Sequence, residues 1–302
     1  MVRFSAGLSI VLYCFVCNIE LIAQKGVVDS SLKVKSEVLK RQMPYSVYLP
    51  DSYDKSYRSY PVLYLLHGMW GDHTDWVNKG EVNRIASNLI ERGEIPEMII
   101  IMPDGLTDAF YINNYDGSVK WEDFFYEEFI PTIEDRYRIV KNRSNRAIAG
   151  LSMGGYGALY HAISNKDMFK ACYALSAAVL ETEPKDASSQ NSEFNQKNWG
   201  PLNEEGLPEN YKKHSIQEMI KGMEVYKAPN PYGADGKTSM PAITLDCGDD
   251  DFLLKQNTNL THIMKEKKIP FELRVRDGGH TWEYWRTGLD LGLKFVGESF
   301  RN

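Results

Sequence analysis

Cysteine is scarce: the 302 residues hold four, too few for a disulfide scaffold, and Cys14 and Cys17 both fall near the start of the chain. Positive charge is not in excess either. Lys and Arg number 35 against 41 Asp and Glu, a formal net charge of −6. Without a basic stripe to neutralise phosphates, nucleic acid and anionic membranes are poor candidate partners. There is no internal repeat and no low-complexity tract. No apolar run reaches the ~20 residues of a membrane span. The longest, in MVRFSAGLSIVLYCFVCNIELIAQKG, follows Arg3 and is broken by Asn18 and Glu20. That length fits the apolar region of a signal peptide. We expect cleavage after Ala23, an exported protein and no stable membrane insertion after processing. A lipid anchor on Cys14 or Cys17 is disfavoured because bulky Tyr13 and Val16 precede them.

What is present is apolar residue, 43% of the chain, with 12% aromatic, enough for one large core. The expected organisation is a signal peptide over 1–23 and a single domain over 24–302. Residues 33–49 alternate as two strands joined by a short turn. PVLYLLHG (61–68), EMIIIMPDG (97–105), RAIAGLS, CYALSA, PAITLDCG (241–248) and PFELRVRDGGH (270–280) are short apolar runs ending in Gly, Ala, Ser or His. They read as strands buried on both faces. Helix patterns separate them: VNRIASNLIERG, WEDFFYEEFIPTIEDRY with a kink expected at Pro131, the segment after Ser152, FLLKQNTNLTHIMKEKK and WEYWRTGLDLGLKFVGESF. Alternation of strand and helix predicts a mostly parallel central sheet flanked by helices. Residues 180–239 are polar and rich in Asn, Pro and Gly, with one short helix pattern near 215–221, and read as an insertion over the sheet. Cys172 and Cys247 would sit at opposite ends of neighbouring parallel strands, which favours two buried free thiols over a disulfide.

The chemistry concentrates where the strands end. Gly150-Leu151-Ser152-Met153-Gly154 is a Gly-x-Ser-x-Gly placed between a strand and a helix, the turn that projects a serine as a nucleophile. Glycines flank Ser152 because side chains there would collide with the adjoining strand and helix. A serine hydroxyl needs an imidazole to take its proton. Of six histidines, His280 follows the last strand on a Gly-Gly loop, the position expected for a base. His161 and His262 lie in helix patterns, and His73 and His214 read as loop residues. Four carboxylates crowd LDCGDDDF: Asp246 still belongs to the strand, while position leaves Asp249, Asp250 and Asp251 open. They are contiguous, unlike the alternating ligands of a calcium loop, so no metal is expected. An oxyanion hole requires two backbone N–H groups. Met153, after the nucleophile, and Met69, after His67-Gly68, are the candidates, with His67 holding its loop.

LLHGMWGDHTDW, GLSMGGYGAL, CGDDDFL and GGHTWEYW together resemble the esterase D-like α/β-hydrolases over about residues 40–298. That family holds the carbohydrate esterase family 1 feruloyl and acetylxylan esterases, tributyrin-type esterases and S-formylglutathione hydrolases, with the mycolyltransferases more distant. The resemblance implies an α/β-hydrolase fold and a Cys-Gly-x-x-Asp-x-Leu pattern whose catalytic aspartate falls on Asp251. It implies a carboxylic ester substrate, small or carried on an oligosaccharide, and no cofactor. The cytosolic S-formylglutathione hydrolases are disfavoured by the leader and by the lack of their serine-glycine oxyanion loop. Trp70, Tyr111 and Trp282 are candidate substrate-binding residues, and Trp76 and Phe110 are further aromatics near these loops. An acyltransferase using the same triad and a non-catalytic glycan-binding protein on this fold are the alternatives.

Overall fold

The computed structural model describes residues 26–180, 193–204, 206–208, 210–227 and 240–301. The expected leader with its cleavage point, Cys14, Cys17 and part of the 180–239 insertion lie outside them. Eight strands form one sheet: β1 (Gly26–Ser36), β2 (Arg41–Pro50), β3 (Val62–Leu66), β4 (Ile99–Pro103), β5 (Arg146–Leu151), β6 (Ala171–Leu175), β7 (Ala242–Gly248) and β8 (Glu272–Arg276). Their order is β1-β2-β4-β3-β5-β6-β7-β8. β1 and β2 form an antiparallel hairpin, β2 pairs antiparallel with β4, and every later pairing is parallel.

The side chains of β3 show why its sequence is continuously apolar. Val62, Tyr64 and Leu66 enter the core on one face of the sheet, and Leu63 and Leu65 enter the core on the other. A strand covered on both sides has no solvent face to mark with polar residues. The same holds for β4 to β6, whose residues are all buried. It fails for β8, which is partly exposed throughout. The expectation that this run is buried on both faces is therefore corrected: β8 is an edge strand with one neighbour and incomplete cover.

Helix α1 (Val82–Glu91) buries Val82, Ile85, Ala86 and Leu89, one face at helical spacing. Each fully buried aliphatic side chain there contributes about 1.5–3 kcal/mol. The run predicted to kink at Pro131 is one composite helix, α2: Trp121–Asp123 and Ile130–Arg136 are α-helical, and Phe124–Phe129 between them is a π-helix. Pro131 has no N–H to close the usual bond, and the backbone accommodates it by widening the turn before it. α3 (Met153–Ser164) follows β5 directly. α7 (Leu254–Glu266) and α8 (Trp282–Arg301) complete the flanks.

The described part of the insertion holds three short helices, α4 (Glu193–Trp199), α5 (Tyr211–His214) and α6 (Ile216–Gly222), where one was expected. Ser215 caps the last, its Oγ accepting from the Glu218 amide. Trp199, Tyr211, Ile216 and Ile220 join the core. His214, read as a loop residue, ends α5 and is buried, with Nδ1 against the Asn210 carbonyl. Cys172 and Cys247 are free and buried, and Cys172 pairs with Ile243 while Cys247 lies four residues further along β7.

Asp246 is fully buried on β7, with its carboxylate accepting from Tyr173 Oη at 2.5 Å, Arg276 Nε at 2.9 Å and Tyr284 Oη. These bonds join β6, β7, β8 and α8. Asp246→Ala strands a guanidinium and two hydroxyls, and should lower the unfolding free energy in urea by about 3 kcal/mol. The exposed Asp250→Asn should change it by less than ~0.5 kcal/mol. Equal losses would refute this assignment.

Candidate active site

The carboxyl ends of β3, β5, β7 and β8 deliver four loops to one edge of the sheet, where open α/β sheets bind ligands. Ser152 sits between β5 and α3 with φ 53° and ψ −117°, outside the regions that ordinary side chains prefer. Three backbone bonds hold it there: Ser152 N–H donates to the Leu175 carbonyl at 2.9 Å, and the Ser152 carbonyl accepts from Tyr156 and Ala178. A Cβ at Gly150 would lie 2.3 Å from the Gly154 oxygen, and one at Gly154 would lie 2.5 Å from the Leu66 and His67 oxygens. The helix starts so close to the strands that only glycine fits at either place.

His280 Nε2 lies 3.0 Å from Ser152 Oγ, and His280 Nδ1 lies 2.9 Å from Asp251 Oδ2. The structure thus brings Ser152, His280 and Asp251 into one hydrogen-bonded chain. Of the contiguous carboxylates, Asp249 instead accepts from the Gly278 amide at 3.0 Å, and Asp250 is exposed. Asp251 is buried, and Oδ1 accepts from the Leu253 amide at 2.9 Å. Burial pushes its pKa up, but hydrogen bonds from His280, the Leu253 amide and Ser176 outweigh that and hold it below the usual carboxylate value. It is therefore ionised at neutral pH.

The loops bearing Asp251 and His280 are stitched together. Asp249 N–H donates to the Arg276 carbonyl and Asp250 N–H to the Gly278 carbonyl. A Cβ at Gly248 would lie 1.9 Å from the Gly278 oxygen, so this approach requires glycine.

Met153 N–H opens α3, where the helix macrodipole favours negative charge. Met69 lies on the loop after β3, and a Cβ on the adjacent Gly68 would come within 3.6 Å of Ser152 Cβ. Among the described residues neither amide donates to a protein acceptor. His67 is buried, which lowers its pKa and keeps the ring neutral. Its Nε2 accepts from the Gly105 amide at 2.8 Å, so the proton is on Nδ1, which donates to the Gly68 carbonyl at 2.7 Å. His67 thereby fixes the loop, as expected.

Tyr111 requires a correction. Expected as a substrate-binding residue, it is fully buried, and its hydroxyl donates to the His67 carbonyl at 2.8 Å. A ring without exposed surface cannot meet substrate, and Tyr111 instead supports the loop carrying Met69. Trp76 and Phe110 are also buried. Trp70 is 74% exposed beside Met69, with its N–H tied to the Thr107 carbonyl. Trp282 is half-buried and packs edge-on against Trp76 and Trp285, each at 5.3 Å.

Sequence reading missed two rings that flank the imidazole: Trp285, edge-on at 4.8 Å, and Phe252 at 4.7 Å. The signals were there, since Trp285 lies one helical turn past Trp282 and Phe252 adjoins Asp251.

The profile of the Esterase family matches residues 36–296. The chain belongs to that family. The esterase is 36% identical to a ferulic acid esterase of known structure, with a TM-score of 0.75 over 91% of this chain and 98% of that one. It is 27% identical to an acetyl esterase of Caldicellulosiruptor saccharolyticus over 83% of this chain and 91% of the relative. A further relative is an endo-1,4-beta-xylanase/feruloyl esterase of Xylanibacter ruminicola, 37% identical over 44% of this chain and 19% of that protein. Fold and family make the protein an α/β-hydrolase acting on carboxylic esters.

The hydrogen-bond chain predicts unequal roles for neighbouring acids. Asp251→Asn should lower kcat by about 10⁴-fold by turning the imidazole to the wrong tautomer. Asp250→Asn should stay within about threefold of wild type. Steady-state kinetics on any accepted ester checks both, and a larger loss at Asp250 would reassign the acid.

Proposed function

We propose that this esterase works through a covalent acyl-serine. The observation that carries this reading is the unbroken chain from Ser152 Oγ through His280 to Asp251, beside two amides that donate to no acceptor among the described residues. His280 Nε2 takes the Ser152 proton as Oγ attacks the ester carbonyl, and the new oxyanion is held by the Met69 and Met153 amides. Collapse expels the alcohol, which receives the proton from His280. Water then repeats the sequence and releases the acid. Asp251 orients the ring and stabilises the imidazolium.

The substrates we assign are short or aryl acyl groups, acetyl or feruloyl in type, carried on carbohydrate. The names of the ferulic acid esterase and acetyl esterase relatives support this, as does exposed Trp70 beside the oxyanion loop. An apolar pocket discriminates by only about 1–3 kcal/mol per methylene, so activity should extend across short esters. Export is part of the proposal. It rests on the leader-like first residues, an apolar run after Arg3 broken by Asn18 and Glu20.

Ser152→Ala should abolish hydrolysis by about 10⁶-fold in a folded protein. On wild type, acetyl and feruloyl esters of xylan fragments should turn over faster than palmitoyl esters. Fastest turnover of palmitoyl esters, with sugar esters untouched, would replace this substrate class with lipids.

A further inference from the structure

We infer that Phe252 forms the surface that receives the alcohol half of the ester and so sets leaving-group preference. The inference rests on the acyl-serine reading above. In that chemistry the carbonyl oxygen faces the Met69 and Met153 amides, while the leaving oxygen must come within hydrogen-bond reach, about 2.6–3.2 Å, of His280 Nε2. The alcohol therefore lies on the imidazole side of the site, and whatever surface adjoins the imidazole meets it first.

Among the described residues two rings adjoin the imidazole, and they differ in exposure. Trp285 is 7% exposed and its Nε1–H is engaged by Ser176 Oγ at 3.1 Å, so it packs behind His280 as support. Phe252 lies 4.7 Å from the imidazole, inclined at 49°, and 71% of its surface is open to solvent. Single exposed apolar side chains are common on protein surfaces, but this one abuts the ring that must protonate the leaving group. Its backbone is fixed on both sides. Asp251 is anchored to His280, and the amides of Leu253 and Leu254 bond to Asp251 Oδ1 and the Asp251 carbonyl. The exposed ring is thus presented on a rigid turn, at little ordering cost on binding. A flat apolar face at that place suits the C–H face of a sugar ring or an aryl alcohol. It offers nothing to a methyl or ethyl group, which is too small to span it.

A competing role, shielding the His280–Asp251 bond from water, would affect every ester alike because that bond serves acylation and deacylation. Ester pairs that share one acid separate the two roles: methyl ferulate against feruloylated arabinoxylan fragments, and methyl acetate against acetylated xylan fragments. For Phe252→Ala, kcat/KM on the sugar esters should fall about ten- to fiftyfold, and on the methyl esters by less than about threefold. Phe252→Tyr should restore the sugar esters to within about threefold of wild type. An equal fall on both members of a pair, or no fall on either, overturns the inference. So does wild-type turnover of methyl esters without any preference for sugar esters, an outcome that leaves the acyl-serine reading intact. Failure of wild type on both, or equal turnover by Ser152→Ala, overturns that reading and this inference with it.

Discussion

Everything at this site depends on holding one residue where it would not stay by itself. Ser152 occupies φ 53° and ψ −117°, a region that costs about 1–3 kcal/mol for a residue with a side chain. Free of its surroundings, the turn would relax and Oγ would swing away from His280. The surroundings forbid this. β6 accepts its amide, Ala178 and Tyr156 donate to its carbonyl, and glycines let α3 press against the ends of β3 and β5. The strain is local, whereas the contacts that balance it come from three strands and a helix.

Support for the loop carrying Met69 reaches deep into the core by a polar route. Tyr126 Oη donates to His161 Nδ1, His161 Nε2 donates to the Tyr111 carbonyl, and Tyr111 Oη donates to the His67 carbonyl. The directions follow from charge. Complete burial drops the His161 pKa to about 3, so the ring is neutral and can carry only one N–H. The aromatic cluster around Trp121 and Phe125 thus fixes polar groups as well as filling space. On the other side, the Asp251 and His280 loops bond to each other across β7 and β8. Asp251 and His280 keep their spacing because their backbones are joined.

The sheet was legible because buried strands leave continuous apolar runs and loops leave Gly and Asp at their ends. Ser152 and His280 were legible for the same reason: each sits just past such a run. Asp251 was not separable from Asp249 and Asp250 by position, since a turn can offer any of three contiguous carboxylates. Only the resemblance to the esterase pattern chose among them, and the structure shows the physical difference in burial and partner. Tyr111 was misread because an aromatic near a site looks alike in sequence whether it faces substrate or core. Phe252 escaped notice because exposure is a tertiary property. Two of the three short helices of the 180–239 insertion, α4 and α5, escaped notice because they are held by Trp199 and Tyr211 packing into the core more than by any period of their own.

The central claim is that Ser152 carries the acyl group during turnover. Acid quenching of wild type within milliseconds of mixing with an activated acetyl or feruloyl ester, followed by peptide mass mapping, tests it directly. The account predicts one added acyl mass, confined to the peptide that contains Ser152 and absent from Ser152→Ala. Product formation with no acylated peptide, or with the acyl group on another residue, would contradict it.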